Sequence, residues 1–437
     1  MNQIISSLST RSLITARCIW HVSVGVFFCL IVICGCQASL VQSAFPVQTG
    51  AKTLLTSEFE IFRGARIGLI TNHSARVDSV HLVDLLHEVP DVQLVALFGP
   101  EHGLRGDAEA GATVVDALDD RTGIPIYSLY GAANRPSTEV LAELDMLVFD
   151  IQDLGVRFYT YISTMGRAMQ SAAEANIPFV VLDRPNPLGG VRVDGYVRDS
   201  LHVSGVGLYP IPVQHGMTVG ELARMIQGEA FLPGLEHLEL KVVPMTGWTR
   251  DMLWPDTGLK WIPTSPNIPT FETALVYPGT CFFEGTTASE GRGTDRPFLT
   301  IGAPWLDVGA VVEHMISLEL PGVLFAEETT IPRSIPGVAN QPKFEGVNIH
   351  SISIQVTDIR TYVPVQTGLA LLGAIFRFTP ENQQESFLNE RWLGLLAGTD
   401  RLQNSIRNGE TMEIVASSWQ SEVEVFSTRR NKYLLYD

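Results

Sequence analysis

Cysteine is nearly absent from the body of this 437-residue chain. Cys18, Cys29, Cys34 and Cys36 lie close to the amino terminus, and only Cys281 follows. One thiol closes no intrachain disulfide, so stability must come from the size of the core. Basic residues are also scarce, with 30 Lys and Arg against 47 Asp and Glu and a net charge of −17. A general nucleic-acid binder needs a cationic surface that releases counterions, so that class is disfavoured. No long charge run, internal repeat or low-complexity tract occurs. With 45% hydrophobic residues the chain has material for a large core, which excludes disorder. Several motifs are missing as well. No Gly-x-Gly-x-x-Gly or Gly-Lys-Ser/Thr loop opens a helix after the first strand, so no nucleotide cofactor is expected. Gly291-Arg292-Gly293 is too short to serve as one. No His-Glu-x-x-His is present and the histidines are scattered, so no metal is expected, although Asp150, Asp153 and His102 form a set that geometry would allow. A Gly-x-Ser-x-Gly elbow is missing too.

What the amino terminus does contain is a targeting pattern. Residues 1–35 hold Arg11 and Arg17, no acidic residue and the apolar run Val22–Cys34. That run is shorter than the roughly 20 residues a bilayer span needs and suits a signal-peptide core. Ile33-Cys34-Gly35-Cys36 resembles a lipobox, which would make Cys36 the lipidated first residue; the alternative is plain secretory cleavage near Ser43-Ala44. Either way the chain is expected to be exported to the periplasm or cell surface, touching the membrane only through a lipid anchor.

The body alternates strands and helices. Arg66–Thr71, Val92–Phe98, Ile124–Leu129, Met146–Ile151 and Phe179–Leu182 are apolar runs of strand length. Between them, Ser79–Glu88, a segment opening at Ser137 and Thr160–Asn176 have helical spacing, the last with Ile162, Met165, Ala168, Met169 and Ala172 on one stripe. This pattern predicts an α/β fold with a mainly parallel sheet covered on both faces. Thr218 followed by Glu221 marks a capping box. The Pro- and aromatic-rich stretch Trp254–Pro269 places a boundary near residue 270, dividing the body into domains at 46–270 and 271–437. In the second, Thr280–Phe283 reads as a buried strand with Cys281 structural. His350–Thr357 reads as a half-exposed strand, and Val365–Phe376, Phe387–Leu396 and Met412–Phe426 as helices.

Right-handed crossovers bring the carboxyl ends of parallel strands to one edge, which is where chemistry is sought. The loops there are polar: Asn72-His73 after the first strand, Glu101-His102 through Arg105 and Asp107 after the next, Asp150 to Arg157, and Asp183-Arg184-Pro185-Asn186. Paired carboxylates are what glycoside hydrolysis needs, one to protonate the leaving oxygen and one to attack or to activate water. Glu101, in a Gly/Pro loop beside His102 and Arg105, is the first candidate; its bland alternative is an Arg-paired loop carboxylate. Glu290, flanked by Arg292 and Asp295, is the second, its alternative a loop-pinning ion pair. Asp150 and Asp153 would orient the sugar or supply the second carboxylate. Trp261, Tyr159 and Tyr161 would stack on a sugar face or simply belong to the core.

The motifs Leu69-Ile-Thr-Asn72-His73, Phe98-Gly-Pro-Glu101-His102-Gly103, Asp150 to Tyr161, Asp183 to Pro187, Pro263 to Pro269 with Asn267, and Glu284-Gly-Thr through Ser289-Glu290-Gly-Arg292-Gly-Thr294 resemble the NamZ-type exo-β-N-acetylmuramidases, in family order over about residues 50–437. The resemblance implies a Rossmann-like domain, a smaller carboxy-terminal α/β domain and an active cleft between them. It implies removal of N-acetylmuramic acid from the non-reducing end of peptidoglycan-derived MurNAc-GlcNAc fragments. It carries the catalytic glutamate over to Glu101, and to Glu290 by motif match. Many relatives have a Cys-bearing, Gly-rich stretch where this chain has Lys343–His350. The expected substrate ligands are Asn72, His73, His102, Arg105, Asp150, Asp153, Arg157, Tyr159, Asp183, Arg184, Asn186, Asn267, Glu284, Arg292 and Asp295. Of these, Arg105, Arg157, Arg184 and Arg292 would meet the lactyl carboxylate of the sugar. Two other classes remain: a sugar-binding lipoprotein without turnover, and a metal-dependent hydrolase. Fragment length, stereochemical outcome and oligomeric state leave no mark in the sequence.

Overall fold

Apolar strands need cover on both faces, and the computed structural model, which describes residues 46–100, 104, 117–129, 131 and 134–437, shows how they get it. The strands of the first half are β1 (Arg66–Thr71), a small hairpin of β2 (Arg76–Val77) and β3 (Val80–His81), β4 (Gln93–Gly99), β5 (Ala117–Leu118), β6 (Pro125–Ser128), β7 (Met146–Asp150), β8 (Phe179–Leu182) and β9 (Leu240–Val243). One sheet has the order β5-β6-β4-β1-β7-β8-β9. All its pairings are parallel except β5 with β6. Strand order reverses between β1 and β7, so the crevice of this doubly wound sheet lies beyond their carboxyl ends.

Side-chain alternation divides the sheet into two buried layers. Ile67, Leu69, Val148, Val180 and Leu182 pack with Leu54, Phe59 and Leu82 on one face. Ile70, Phe98, Leu147, Phe149, Phe179 and Val181 point the other way, onto Ile162, Met165 and Met169 of the helix Tyr161–Ala175. The helix Val219–Gly228 opens with the expected capping box: Thr218 accepts from the Glu221 N–H, and Glu221 accepts from the Thr218 N–H.

The second half carries a three-stranded antiparallel sheet of β10 (Thr300–Ala303), β11 (Val323–Thr330) and β12 (Ile349–Val356), with β12 in the middle. Helices Val308–Ser317 and Pro364–Phe378 accompany it. The second face of the large sheet and the interior of this half belong to the same hydrophobic cluster. Phe158 meets Tyr277 and Phe282 edge-on at 5.4 and 5.8 Å, an aromatic seam between the halves. The described chain lies in a single compact unit that runs to Asp437.

Three local expectations are corrected. Thr280–Phe283 is buried but is no strand: it is the end of the helix Phe271–Thr280 and the 3₁₀ turn Cys281–Gly285. A helix enclosed on all sides has no polar face to reveal its period, so a short stretch of it reads like a strand. Phe387–Leu396 is broken at Leu388-Asn389, where Asn389 caps the helix Glu390–Ala397. Met412–Phe426 is likewise two helices, Met412–Ser417 and Gln420–Arg430.

Helix Phe271–Thr280 crosses helix Pro364–Phe378 at Gly279 and Gly368, and a Cβ on Gly368 would sit 2.2 Å from the Gly279 carbonyl carbon. Gly368→Ala is therefore expected to destabilise the protein by about 1–3 kcal/mol through overpacking. Gly373→Ala in the same helix, where a Cβ meets nothing, is expected to be neutral or stabilising. Denaturant midpoints of the two variants check this; equal midpoints would contradict the close crossing.

Candidate functional site

The loops that leave the strand ends are buried, and burial obliges their polar groups to find partners. Asp150, at the end of β7, is fully buried and holds Arg184 through two contacts, Nε at 2.6 Å and Nη2 at 2.9 Å. Both carboxylate oxygens are thereby engaged. Asp183 accepts from the Thr218 hydroxyl, the Gly220 N–H and the Tyr436 hydroxyl at 2.6–2.8 Å. Burial still pushes its carboxyl up to about 6. Asn186 donates to the Met217 carbonyl and accepts from the Leu188 N–H. Asn72 accepts from the N–H and hydroxyl of Ser74, whose Oγ in turn accepts from the Gln152 N–H, tying the β1 and β7 loops together. Arg157 is completely buried and donates to the carbonyls of Tyr196, Ile211 and Leu396. Desolvation pushes its guanidinium down to about 9. These six residues were expected to touch substrate. In the structure their side chains bond within the protein, while Arg157 Nε and Asn72 Nδ2 are buried without a hydrogen-bond partner.

Other motif residues join the loops to one another. His73 Nε2 contacts the Pro263 carbonyl. Tyr159 donates to Thr264 Oγ1 at 2.9 Å and Tyr161 to the Thr264 carbonyl at 3.0 Å. Asn267 donates to the Val338 carbonyl, and its Oδ1 has no hydrogen-bond partner. Asp153 Oδ2 accepts from the Gly155 N–H at 2.7 Å, and its Oδ1 is buried without a partner.

A cavity of about 350 Å³ opens between the halves. Its walls are the loop after β6, the first turns of helix Tyr161–Ala175, and Tyr159, Tyr277, Glu284, Arg292 and Trp392. Of the expected ligands among the described residues, Tyr159, Glu284 and Arg292 line it. Arg292 lies over the Phe298 ring and donates to Glu284 at 2.7 Å. Burial opposes its charge, but Glu284 and Glu290 outweigh that and raise its pKa. Glu290 does not reach the cavity wall. It is buried between Arg292 Nε at 3.6 Å and Lys343 Nζ at 2.9 Å. Lys343 also donates to the Phe283 and Ala288 carbonyls. Asp295 is exposed. Cys281 is buried, and burial pushes its thiol well up, which suits a structural role.

Glu101, His102, Arg105 and Cys36 lie outside the described residues. Among the described residues no group of three or more His, Cys, Asp and Glu is placed to hold a metal ion. A larger cavity of about 490 Å³, lined by aliphatic side chains such as Leu318, Leu369 and Val415 and by charged ones such as Arg377, Arg407 and Glu410, holds none of the motif residues. Sequence reasoning missed several polar residues of the smaller cavity, among them Thr164 and Arg167. With Thr160 they fall at i, i+4 and i+7 on one helix face, a polar stripe that the apolar stripe of the same helix obscures.

Models of the family described as exo-beta-N-acetylmuramidase NamZ match this chain in two parts, the N-terminal one over residues 67–272 and the C-terminal one over 275–436. The peptidoglycan beta-N-acetylmuramidase NamZ of Bacillus subtilis (strain 168) is 44% identical over 391 residues, 89% of this chain and 91% of that protein. Two crystal structures of DUF1343 family proteins from Bacteroides fragilis NCTC 9343 share the fold. One has a TM-score of 0.82 at 35% identity, the other 0.75 at 34%, each alignment covering 90% of this chain and 99% of the other.

Burial pushes the Asp153 carboxyl up to about 7, whereas an unfolded aspartate titrates near ~3.9. The folded state therefore holds an extra proton between about pH 4 and 7, and its stability falls as pH rises through that window. Asp153→Asn should flatten the dependence of Tm on pH there, leaving the smaller slope from Asp183. A variant profile as steep as the wild type's would contradict it.

Proposed function

We propose, because the chain belongs to the NamZ family of exo-β-N-acetylmuramidases, that it is a glycoside hydrolase removing terminal N-acetylmuramic acid from the non-reducing end of peptidoglycan fragments. The observation that carries this reading is the 44% identity, across both halves, to a peptidoglycan β-N-acetylmuramidase. A cavity walled by both halves agrees with it, since a glycosidase must enclose its sugar and exclude bulk water. The substrates on this reading are MurNAc-GlcNAc fragments, taken without a cofactor.

Hydrolysis asks one carboxyl group to protonate the leaving oxygen and another to attack or to activate water. Glu101, in the segment that follows β4, takes the first role. For the second, Glu284 is better placed than Glu290. Glu284 lines the cavity with Arg292 on one of its oxygens, while Glu290 stands behind Arg292 and holds that guanidinium in place. Tyr159 and Tyr277 supply aromatic walls.

Export completes the reading. Residues 1–35 act as a signal peptide and Cys36 receives the lipid, so the enzyme works at the periplasmic or outer side of the membrane, where wall fragments arise.

Purified mature protein is expected to release free N-acetylmuramic acid from a MurNAc-GlcNAc disaccharide, with and without chelator; saturable binding without release would leave a sugar-binding lipoprotein. Glu101→Gln should lower turnover roughly 10²–10⁴-fold without unfolding the protein. Glu284→Gln should lower kcat in the same way, whereas Glu290→Gln should show its larger effect as a lowered Tm. The reverse ranking would return the catalytic role to Glu290. For export, the wild type should fractionate with membranes and Cys36→Ser should not. A soluble wild-type protein beginning near residue 45 would replace lipidation by simple secretion.

A further inference from the structure

The charged groups on the described wall of the 350 Å³ cavity are Arg167, Glu284 and Arg292. Glu284 and Arg292 neutralise each other at 2.7 Å, and Arg292 has Glu290 behind it as well. Arg167 is different. It is half-buried in the second turn of helix Tyr161–Ala175, and among the described residues it forms no hydrogen bond and no ion pair. No acidic residue stands in the first turn of that helix. A chain of net charge −17 thus presents an unneutralised guanidinium to its cavity. A guanidinium held part-way out of water with no counter-ion favours an anionic ligand, and its planar fork fits a carboxylate with two parallel hydrogen bonds.

We propose that Arg167 recognises the lactyl carboxylate of N-acetylmuramic acid and makes the site prefer that sugar over N-acetylglucosamine, which lacks the group. The inference rests on the muramidase reading for the identity of the anion. Three of the arginines expected to meet this group are already engaged. Arg157 is locked on three backbone carbonyls and Arg184 on Asp150, so neither can turn to a ligand without breaking buried bonds. Arg292 is already matched by two glutamates. Arg167 is a specificity residue: it binds a part of the sugar that does not react, and its contribution is expected in KM more than in kcat.

The test compares full-length wild type with Arg167→Ala and Arg167→Lys on 4-nitrophenyl N-acetylmuraminide and on its lactyl carboxamide, which keeps the shape and loses the charge. The wild type should prefer the carboxylate. Arg167→Ala should raise KM for it roughly 10–100-fold, the loss of a charge-assisted hydrogen-bonded pair, and narrow the gap between the two substrates by the same factor. Arg167→Lys should recover part of the gap. An unchanged KM in Arg167→Ala, or an equal loss on both substrates, overturns the proposal and leaves the muramidase reading intact. If the wild type turns over neither substrate, that reading fails, and calorimetric titration with N-acetylmuramic acid and N-acetylglucosamine decides the proposal. A wild-type preference for the acid that disappears in Arg167→Ala supports it; a preference that survives, or no preference in the wild type, overturns it.

Discussion

Burial of the strand-end loops beneath the second half of the chain is the constraint on which the rest of the structure depends. In an open parallel sheet those loops would face water and their polar side chains would be free for ligand. Here the described loops are roofed, and most of their buried polar groups are matched inside the protein, with Asp153 Oδ1 and Asn267 Oδ1 among the exceptions. Some of the matches come from far along the chain. Arg157 reaches the Leu396 carbonyl, Asp183 receives the Tyr436 hydroxyl, and Glu221 receives the Leu435 N–H and Arg250. Arg430 donates to the carbonyls of His215 and Gly216. The carboxy-terminal segment is thereby bonded into the first sheet's loops. The two family segments thus lie in one compact unit, joined by the aromatic seam and by these bonds.

The same constraint explains how the site is delimited. Asp150, Asp183, Arg157 and Arg184 all bond within the protein, and few charged groups stand on the described cavity wall. The Glu284–Arg292 pair sits there partly exposed, backed by Glu290 and Lys343 in a chain of alternating charge. Removing a member of such a chain leaves its neighbour unmatched in a poorly hydrated place, so support and catalysis are difficult to separate by a single substitution. Glu284 and Glu290 therefore have to be distinguished by comparing turnover with stability rather than by loss of activity alone.

Much of the architecture was legible in the sequence because the large sheet is built from runs whose faces are both covered. β1, β4, β7 and β8 are continuous apolar stretches with polar residues directly after them, and that pattern has few other readings. The second half resisted because its helices are short or enclosed: around Cys281 and between Leu388 and Asn389, hydrophobicity alone does not separate a strand from a helix or one helix from two. The site was legible only in part. Arg157 and Arg184 follow strands in polar loops, as a ligand arginine would, and nothing local reveals that their partners are carbonyls and a buried aspartate. Arg167 drew no reading from the sequence, because it lies within a helix whose apolar stripe dominates the pattern. The cavity it lines is completed by residues as far along the chain as Tyr277, Glu284, Arg292 and Trp392.

Charge then sets how a wall fragment is captured. The protein as a whole repels an anion, but at physiological ionic strength that repulsion is screened beyond about 8 Å. Within the cavity the balance is local, where the described wall has two guanidiniums and one carboxylate. A negatively charged sugar thus gains nothing from long-range steering and must be held by contact with fixed groups. Such an arrangement favours selectivity over speed of encounter, because a cation placed on a helix within a packed core can discriminate by geometry while the surface field attracts nothing. For an enzyme that trims one terminal residue from a mixture of chemically similar sugars, discrimination at the site is the property this fold is built to provide.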